Sequence, residues 1–248
     1  MRPGLLGVML LSVMIADLGP VATLRRPLPN PAEVPGMRSS LTAMCAPFAA
    51  AALPQPQLGR TCVMSWFTNA DAIDAFRADH ALGRSLATGW ELRLELMRGV
   101  GIWPGLFDQA GTPVDMVDLA GSKGKDFNGP SVAITLGRAY LRTARRFFSV
   151  NRGLERQFLD TPSGLWGTAM TDLVSRTVAT VTAWTSGDAA MAYVRDGAHG
   201  AAVAEHFDPA KDPTGHTFVT GGGFFGFRPL SASGSLSGRN PTPAGLFA

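Results

Sequence analysis

The chain has 248 residues, 46% apolar and 17% charged, which is enough to bury a substantial core and too apolar for a disordered polymer. Its net charge of +3 comes from 19 Arg and 3 Lys against 19 acids, with no basic stripe and no nucleic-acid motif, so nucleic acid is excluded as a partner. Cys45 and Cys62 are too few for a disulfide scaffold and lack a C-x-x-C spacing; buried, reduced thiols are expected, with one disulfide as the alternative.

At the amino terminus, Met1-Arg2 precedes an apolar run from Leu5 to Ile15 that is too short to span a bilayer. It has the charged and apolar regions of a secretory signal, but Asp17 follows directly and no A-x-A cleavage site is present. A buried strand over Val8 to Ile15 and a cytoplasmic chain are therefore expected. Pro20, Pro27, Pro29, Pro31 and Pro35 then leave room only for a short or irregular helix.

The most informative feature is self-similarity. Phe67 to Gly83 lies without a gap over Trp184 to Gly200, with seven of seventeen positions identical at an offset of 117. Upstream, Thr42-Ala43-Met44 recurs as Thr168-Ala169-Met170. In each copy a helix begins after N-cap residues, Thr68-Asn69 before Asp71 and Thr185-Ser186 before Asp188. Strand-like segments follow at Trp90 to Met97 and at Phe224 to Leu230. Between the copies, the Gly-rich stretch from Phe107 to Pro130 reads as a linker.

The second copy opens with a strand at Val132 to Leu136 and an Arg-rich segment, Arg138 to Phe158, that reads as a helix. Thr177 to Trp184 then alternates, with Val178, Thr180, Thr182 and Trp184 on one side and Ala179, Val181 and Ala183 on the other. The order is β-α-β-β-α-β twice. The expected class is α+β: two tandem ferredoxin-like units, residues 1–106 and 131–236, joined by a linker over 107–130 and followed by a flexible tail, 237–248. A four-stranded sheet with both helices on one face leaves its other face bare, and two such sheets bury those faces against each other. The result is a pseudo-twofold pair of ferredoxin-like units, with a cavity available between a sheet and its own helices.

The chemistry-bearing residues are few. There is no G-x-S-x-G elbow, and His80, His199, His206 and His216 lack a hydrolase context. Gly221-Gly222-Gly223 has no GK[ST] and reads as a flexible entry into the last strand. His199 stands apart. It lies in Asp196-Gly197-Ala198-His199-Gly200-Ala201-Ala202, late in the second helix, where the first copy has Leu82. Small neighbours such as Gly200 leave space for a flat group and for imidazole to reach an iron; the plain alternative is a helix-terminal histidine that caps or faces water. His206, one heptad on, is the substitute candidate.

Gly129 to Arg138, Thr180 to Trp184 with Asp188 to Tyr193, and Asp196 to Val203 resemble the carboxy-terminal half of spheroidene monooxygenases. The first half is similar more loosely, through Trp66 to Phe76 and Gly101 to Gly105. The resemblance implies a dimeric α/β-barrel, haem-containing monooxygenase, with His199 as axial ligand of a b-type haem, because the family's G-P-H-A segment falls on Gly197 to Gly200. Two positions depart: Trp166 stands where the family tends to have Lys, and Ala198 where it has Pro, so the far side of the haem pocket and the substrate are open. Trp166, Met170, Trp184, Gly200 and Phe227 are the expected cofactor-binding residues, and no catalytic residue is assigned. Arg138, Arg142, Arg145 and Arg146 could pair with haem propionates or simply form a solvated helix face. The expected partners are an apolar small-molecule substrate and O2 or peroxide, with an electron donor and homo-oligomerisation open. The competing readings are a cofactor-independent oxygenase on the same fold and a non-catalytic small-ligand-binding protein.

Overall fold

Strand alternation sorts the side chains into layers. In the computed structural model, which describes residues 9–51, 55–208, 210 and 217–247, β1 (Leu10–Asp17) turns Leu11, Val13 and Ile15 into one cluster and Leu10, Met14 and Ala16 into another. Val8, at the start of the expected first strand, and His216 lie outside the described residues. After β1 come α1 (Pro20–Leu24), only five residues long as the prolines require, β2 (Met37–Pro47), β3 (Arg60–Phe67), α2 (Ala70–Asp79), α3 (Ala81–Leu86) and β4 (Trp90–Phe107).

The second half runs β6 (Ser131–Ala139), α5 (Ala144–Leu159), β7 (Gly164–Asp172), β8 (Thr177–Trp184), α6 (Gly187–Arg195), α7 (Gly197–His206) and β9 (Val219–Gly234). Between the halves, the stretch read as a linker forms β5 (Pro113–Asp115) and α4 (Met116–Ala120), and Met116 and Ala120 are buried with the barrel-interior residues.

Eight strands close on themselves in the order β1-β3-β2-β7-β8-β6-β9-β4 and back to β1, every neighbour antiparallel. The expected α+β barrel is present. Within each half the strands lie fourth, first, third, second, and the halves join along β2–β7 and β4–β9. Closure removes free sheet edges from the barrel. Its interior is aromatic: Trp66 meets Trp103 edge-on at 5.5 Å, and Trp90 lies 5.2 Å from Trp166. Cys45 and Cys62 are free thiols in that interior, and the hydrogen bond with Cys45, together with burial, pushes the Cys62 thiol up.

The local signals hold at the caps: Asn69 Oδ1 accepts from the Ala72 N–H and Ser186 Oγ from the Ala189 N–H. Four expectations differ. Arg138 is not on a helix, because β6 continues to Ala139 and pairs Arg138 with Thr177 and Thr220; α5 starts only at Ala144. Gly221 to Gly223 belong to β9 itself, wedged between β4 and β6, and a Cβ on Gly223 would stand 1.9 Å from the Val100 carbonyl oxygen. The tail is held: Thr242 Oγ1 accepts from Trp90 Nε1 at 2.9 Å, and Leu246 is buried in the barrel. Finally, the Thr-Ala-Met repeat is one residue out of step. Val63 pairs with Thr42, and its counterpart Thr180 pairs with Ala169, so Ala43 rather than Met44 corresponds to Met170. Among the described residues no helix is long and apolar enough to cross a membrane.

Candidate active site

Between the second half's sheet and helices α5, α6 and α7 lies a cavity of about 700 Å³, within the range of ligand sites. Its floor is the outward face of β8: Val178, Thr180, Thr182 and Trp184 all line it, while Val181 and Ala183 pack into the barrel and Ala179, in the barrel cluster, also touches the cavity. Thr135 of β6 stands directly opposite Thr180. The roof comes from Phe147, Phe148 and Leu154 of α5, Tyr193 of α6, and Ala202 and Val203 of α7. At one end Trp184 stacks edge-on against Phe158 at 5.1 Å and lies 4.8 Å from the Tyr193 ring.

His199 reaches this cavity from the first turn of α7 rather than from late in a continuous helix, because the chain breaks at Gly197, whose φ is +58°. The first copy breaks at the matching place, where His80 caps α3. Gly200 serves that elbow. A Cβ there would lie 2.1 Å from the Arg195 carbonyl oxygen, and one on its counterpart Gly83 would lie 1.9 Å from that of Phe76. The shared glycine therefore permits close helix contact and does not line the cavity.

The imidazole is 8% exposed, and its Nδ1 lies 3.2 Å from the Val194 carbonyl oxygen. A carbonyl can only accept, so Nδ1 carries the proton and Nε2 the lone pair. Burial holds the His199 pKa below its ordinary value, so the ring is neutral near pH 7. Its backbone N–H donates to Gln157 Oε1 at 2.9 Å, fixing the turn against α5. Among the described residues Nε2 has no hydrogen-bond partner. A nitrogen ligand to a metal has this arrangement, its second N–H held by a carbonyl.

The other expected residues separate. Trp184 lines the cavity. Met170 contributes to its wall from the barrel-interior cluster, whereas Trp166 and Phe227 face the barrel, Trp166 against Trp90 and Phe227 against Trp66 at 5.9 Å. His206 also lines the cavity, with Nδ1 accepting from the Phe218 N–H at 3.2 Å. Sequence reasoning missed Tyr193, whose hydroxyl donates to the Leu154 carbonyl and whose pKa burial raises, and Glu155, which accepts from the Ala50 N–H at 2.9 Å. The signal for Tyr193 was its place in the repeat, opposite Phe76.

Among the described residues no lysine or arginine lines the cavity. The arginines expected at helical spacing lie elsewhere: Arg146 pairs with Glu205, Arg138 donates to the Ser175 carbonyl, and Arg142 lies over the Tyr140 ring. Nor could any cluster of three or more His, Cys, Asp or Glu among them hold a metal ion. The donor set thus fits a group that needs one protein nitrogen and an apolar surround, and its walls offer no cation for carboxylates.

No family model matches the chain, and no curated protein does. Among solved structures it is similar to aldoxime dehydratase in complex with butyraldoxime, at 7% identity over 90% of this chain and 80% of that one, TM-score 0.47. A candidate monooxygenase of Fusobacterium nucleatum is similar at 9% identity over 94% and 99%, TM-score 0.38. An anthrone oxidase-like protein is similar at 10% identity over 98% of each chain, TM-score 0.31.

Proposed function

We propose that the chain is an enzyme, a haem-dependent monooxygenase that oxidises an apolar small molecule in the cavity, with His199 Nε2 as the iron's protein ligand. The observation that carries this reading is the Val194 carbonyl on Nδ1: it sets the tautomer that leaves a neutral, lone-pair-bearing Nε2 in an apolar hollow. The resemblance of Asp196 to Val203 to the spheroidene monooxygenases supports it, as does the strand order shared by the halves, which we read as a duplicated ferredoxin-like unit. Haem bound there would supply the iron centre at which O2 or peroxide is activated.

The protein's own residues do the rest. Apolar walls exclude water and leave shape as the main selector of substrate. Trp184 and Phe158 close one end. Thr135 and Thr180, facing each other on the floor, can donate to an oxygen of a bound molecule. Tyr193 keeps its proton and spends it on Leu154, so it stiffens the wall. With O2 as oxidant, reducing the second oxygen atom to water takes electrons from a separate donor; with peroxide it does not.

One observation favours a second reading. The absence of a cation in the described walls suits a cofactor-independent oxygenase, in which His199 Nε2 takes a proton from the substrate. Absorbance decides between them. Expressed with haem precursor, the protein is expected to show a Soret band that His199→Ala abolishes and His206→Ala retains. A protein that binds an apolar ligand but shows no band in any preparation removes the haem and leaves the second reading.

A further inference from the structure

The cavity opens at one end of the second half, and the strand registers identify that end. Arg138 pairs with Thr177 and Thr220, Leu136 with Gly223, and Gly223 with Gly101. The β7–β8 hairpin, the end of β6, the start of β9 and residues 100–102 of β4 therefore converge there. Six large apolar side chains are exposed at this end: Val100, Ile102, Leu141, Leu173, Val174 and Phe207. Leu141 is 72%, Val174 71% and Leu173 67% exposed. Four of the six, Val100, Ile102, Leu173 and Phe207, also line the cavity, so the apolar lining continues onto the outer surface.

Arginines stand among them. Arg138 is tied to the hairpin through the Ser175 carbonyl, and Arg176 accepts from the Ala139 N–H through its own carbonyl. The neighbouring acids Asp172 and Glu205 are each engaged by an arginine, Arg26 and Arg146, while Asp208 beside Phe207 and Asp115 opposite Ile102 accept from backbone N–H groups. What faces outward is mainly apolar, with Arg138 and Arg176 at the hairpin. That chemistry matches the interface of a bilayer with anionic headgroups, into which leucine and valine insert while arginine meets phosphate.

We infer that the cavity mouth docks on an anionic lipid surface and draws its substrate from the lipid phase. The inference rests on the reading of the cavity as a site for an apolar molecule, not on the identity of its cofactor. It gives that molecule a route that never crosses water, from bilayer through the Leu173 and Phe207 rim to the Thr135 and Thr180 floor.

The test is co-sedimentation of the full chain with phosphatidylcholine vesicles, with and without phosphatidylglycerol, at low and high salt. Binding is expected to need phosphatidylglycerol and to fall with salt. Leu141→Asp with Val174→Asp, neither of which lines the cavity, should weaken it by about tenfold or more, and Arg138→Gln with Arg176→Gln by a similar factor. Leu159→Asp, exposed at the opposite end of the sheet, should leave it unchanged. The inference is overturned by an intact chain that stays in the supernatant, by binding that the Leu141→Asp, Val174→Asp pair does not alter, or by a wild-type dimer that this pair converts to monomer, which would assign the patch to a second copy of the chain. A Soret spectrum on the same samples separates this inference from the haem reading: either result can fail while the other stands.

Discussion

The two sheet–helix layers of this molecule share an element order and differ in what fills them. In the first, Leu10, Met14, Ile73, Phe76 and Leu86 interlock. The strand registers and the repeat put Ser131, Thr135, Ala190, Tyr193 and Val203 at the corresponding places. Apart from the aromatic pair, each exchange removes apolar bulk, and a packed layer becomes a hollow one. The hollow is kept open because α5, a sixteen-residue helix, roofs the second layer where the first has only α1 and a proline-rich loop, and because Trp184, Phe158 and Tyr193 prop one end. Close packing is the default for a protein interior. A layer that departs from it while its twin does not is the place to look for a ligand.

The comparison can be broken by truncation. Leu86 is fully buried, and Leu86→Ala should cost about 3 kcal/mol, since it opens a void in a filled layer. Its counterpart Val203 already faces the cavity, so Val203→Ala should cost less than about 1 kcal/mol. Chemical denaturation midpoints measure both. Equal losses would mean that the second layer is as tightly packed as the first, and the cavity would lose its meaning.

It can be sharpened by transplantation. Thr135→Met with Ala190→Ile writes first-half residues into the second half and fills the hollow with side chains that its twin already accommodates. Folding stability should hold, while affinity for an apolar ligand should drop about tenfold, or about 1.4 kcal/mol. Titration of a fluorescent apolar probe would show it. Undiminished binding with a folded protein would place the ligand elsewhere.

Much of this contrast was legible in the sequence, for local reasons. The β8 alternation put Val178, Thr180, Thr182 and Trp184 on one side of the strand, and those four line the cavity. The N-caps Asn69 and Ser186 depend only on residues three positions away. His199 stood out because Leu82 occupies its place in the other copy. The failures were non-local. Matching Thr42-Ala43-Met44 to Thr168-Ala169-Met170 by identity slips the strand by one residue, and in a period of two that exchanges the faces. Trp166 and Phe227 were grouped with Trp184 by residue type, yet each lies on the barrel side of its strand. The tail read as mobile from its composition, and nothing local to it announces that Trp90, far earlier in the chain, will hold Thr242.

The smallest expected difference between two proteins concerns the bond that ties the two halves at the mouth. Arg26, in the proline-rich loop of the first half, reaches buried Asp172 at the β7–β8 hairpin, where Ser175 Oγ also donates to the carboxylate at 2.5 Å. Burial alone would raise the Asp172 pKa; the Ser175, Arg26 and Val174 donors outweigh it and hold the carboxyl below its ordinary value. A carboxyl lowered on folding stabilises the native state above its unfolded pKa of about 3.9, and that stabilisation fades as pH falls through the lower folded value. With Arg26 half-exposed, about 1 kcal/mol is at stake. Wild type should therefore exceed Asp172→Asn by about that amount at neutral pH, and the gap should narrow as the pH falls below about 4. A gap that stays constant down to the lowest pH at which both fold would mean that the carboxylate's charge contributes nothing to the joint, and that neutral hydrogen bonds hold the hairpin to the first half.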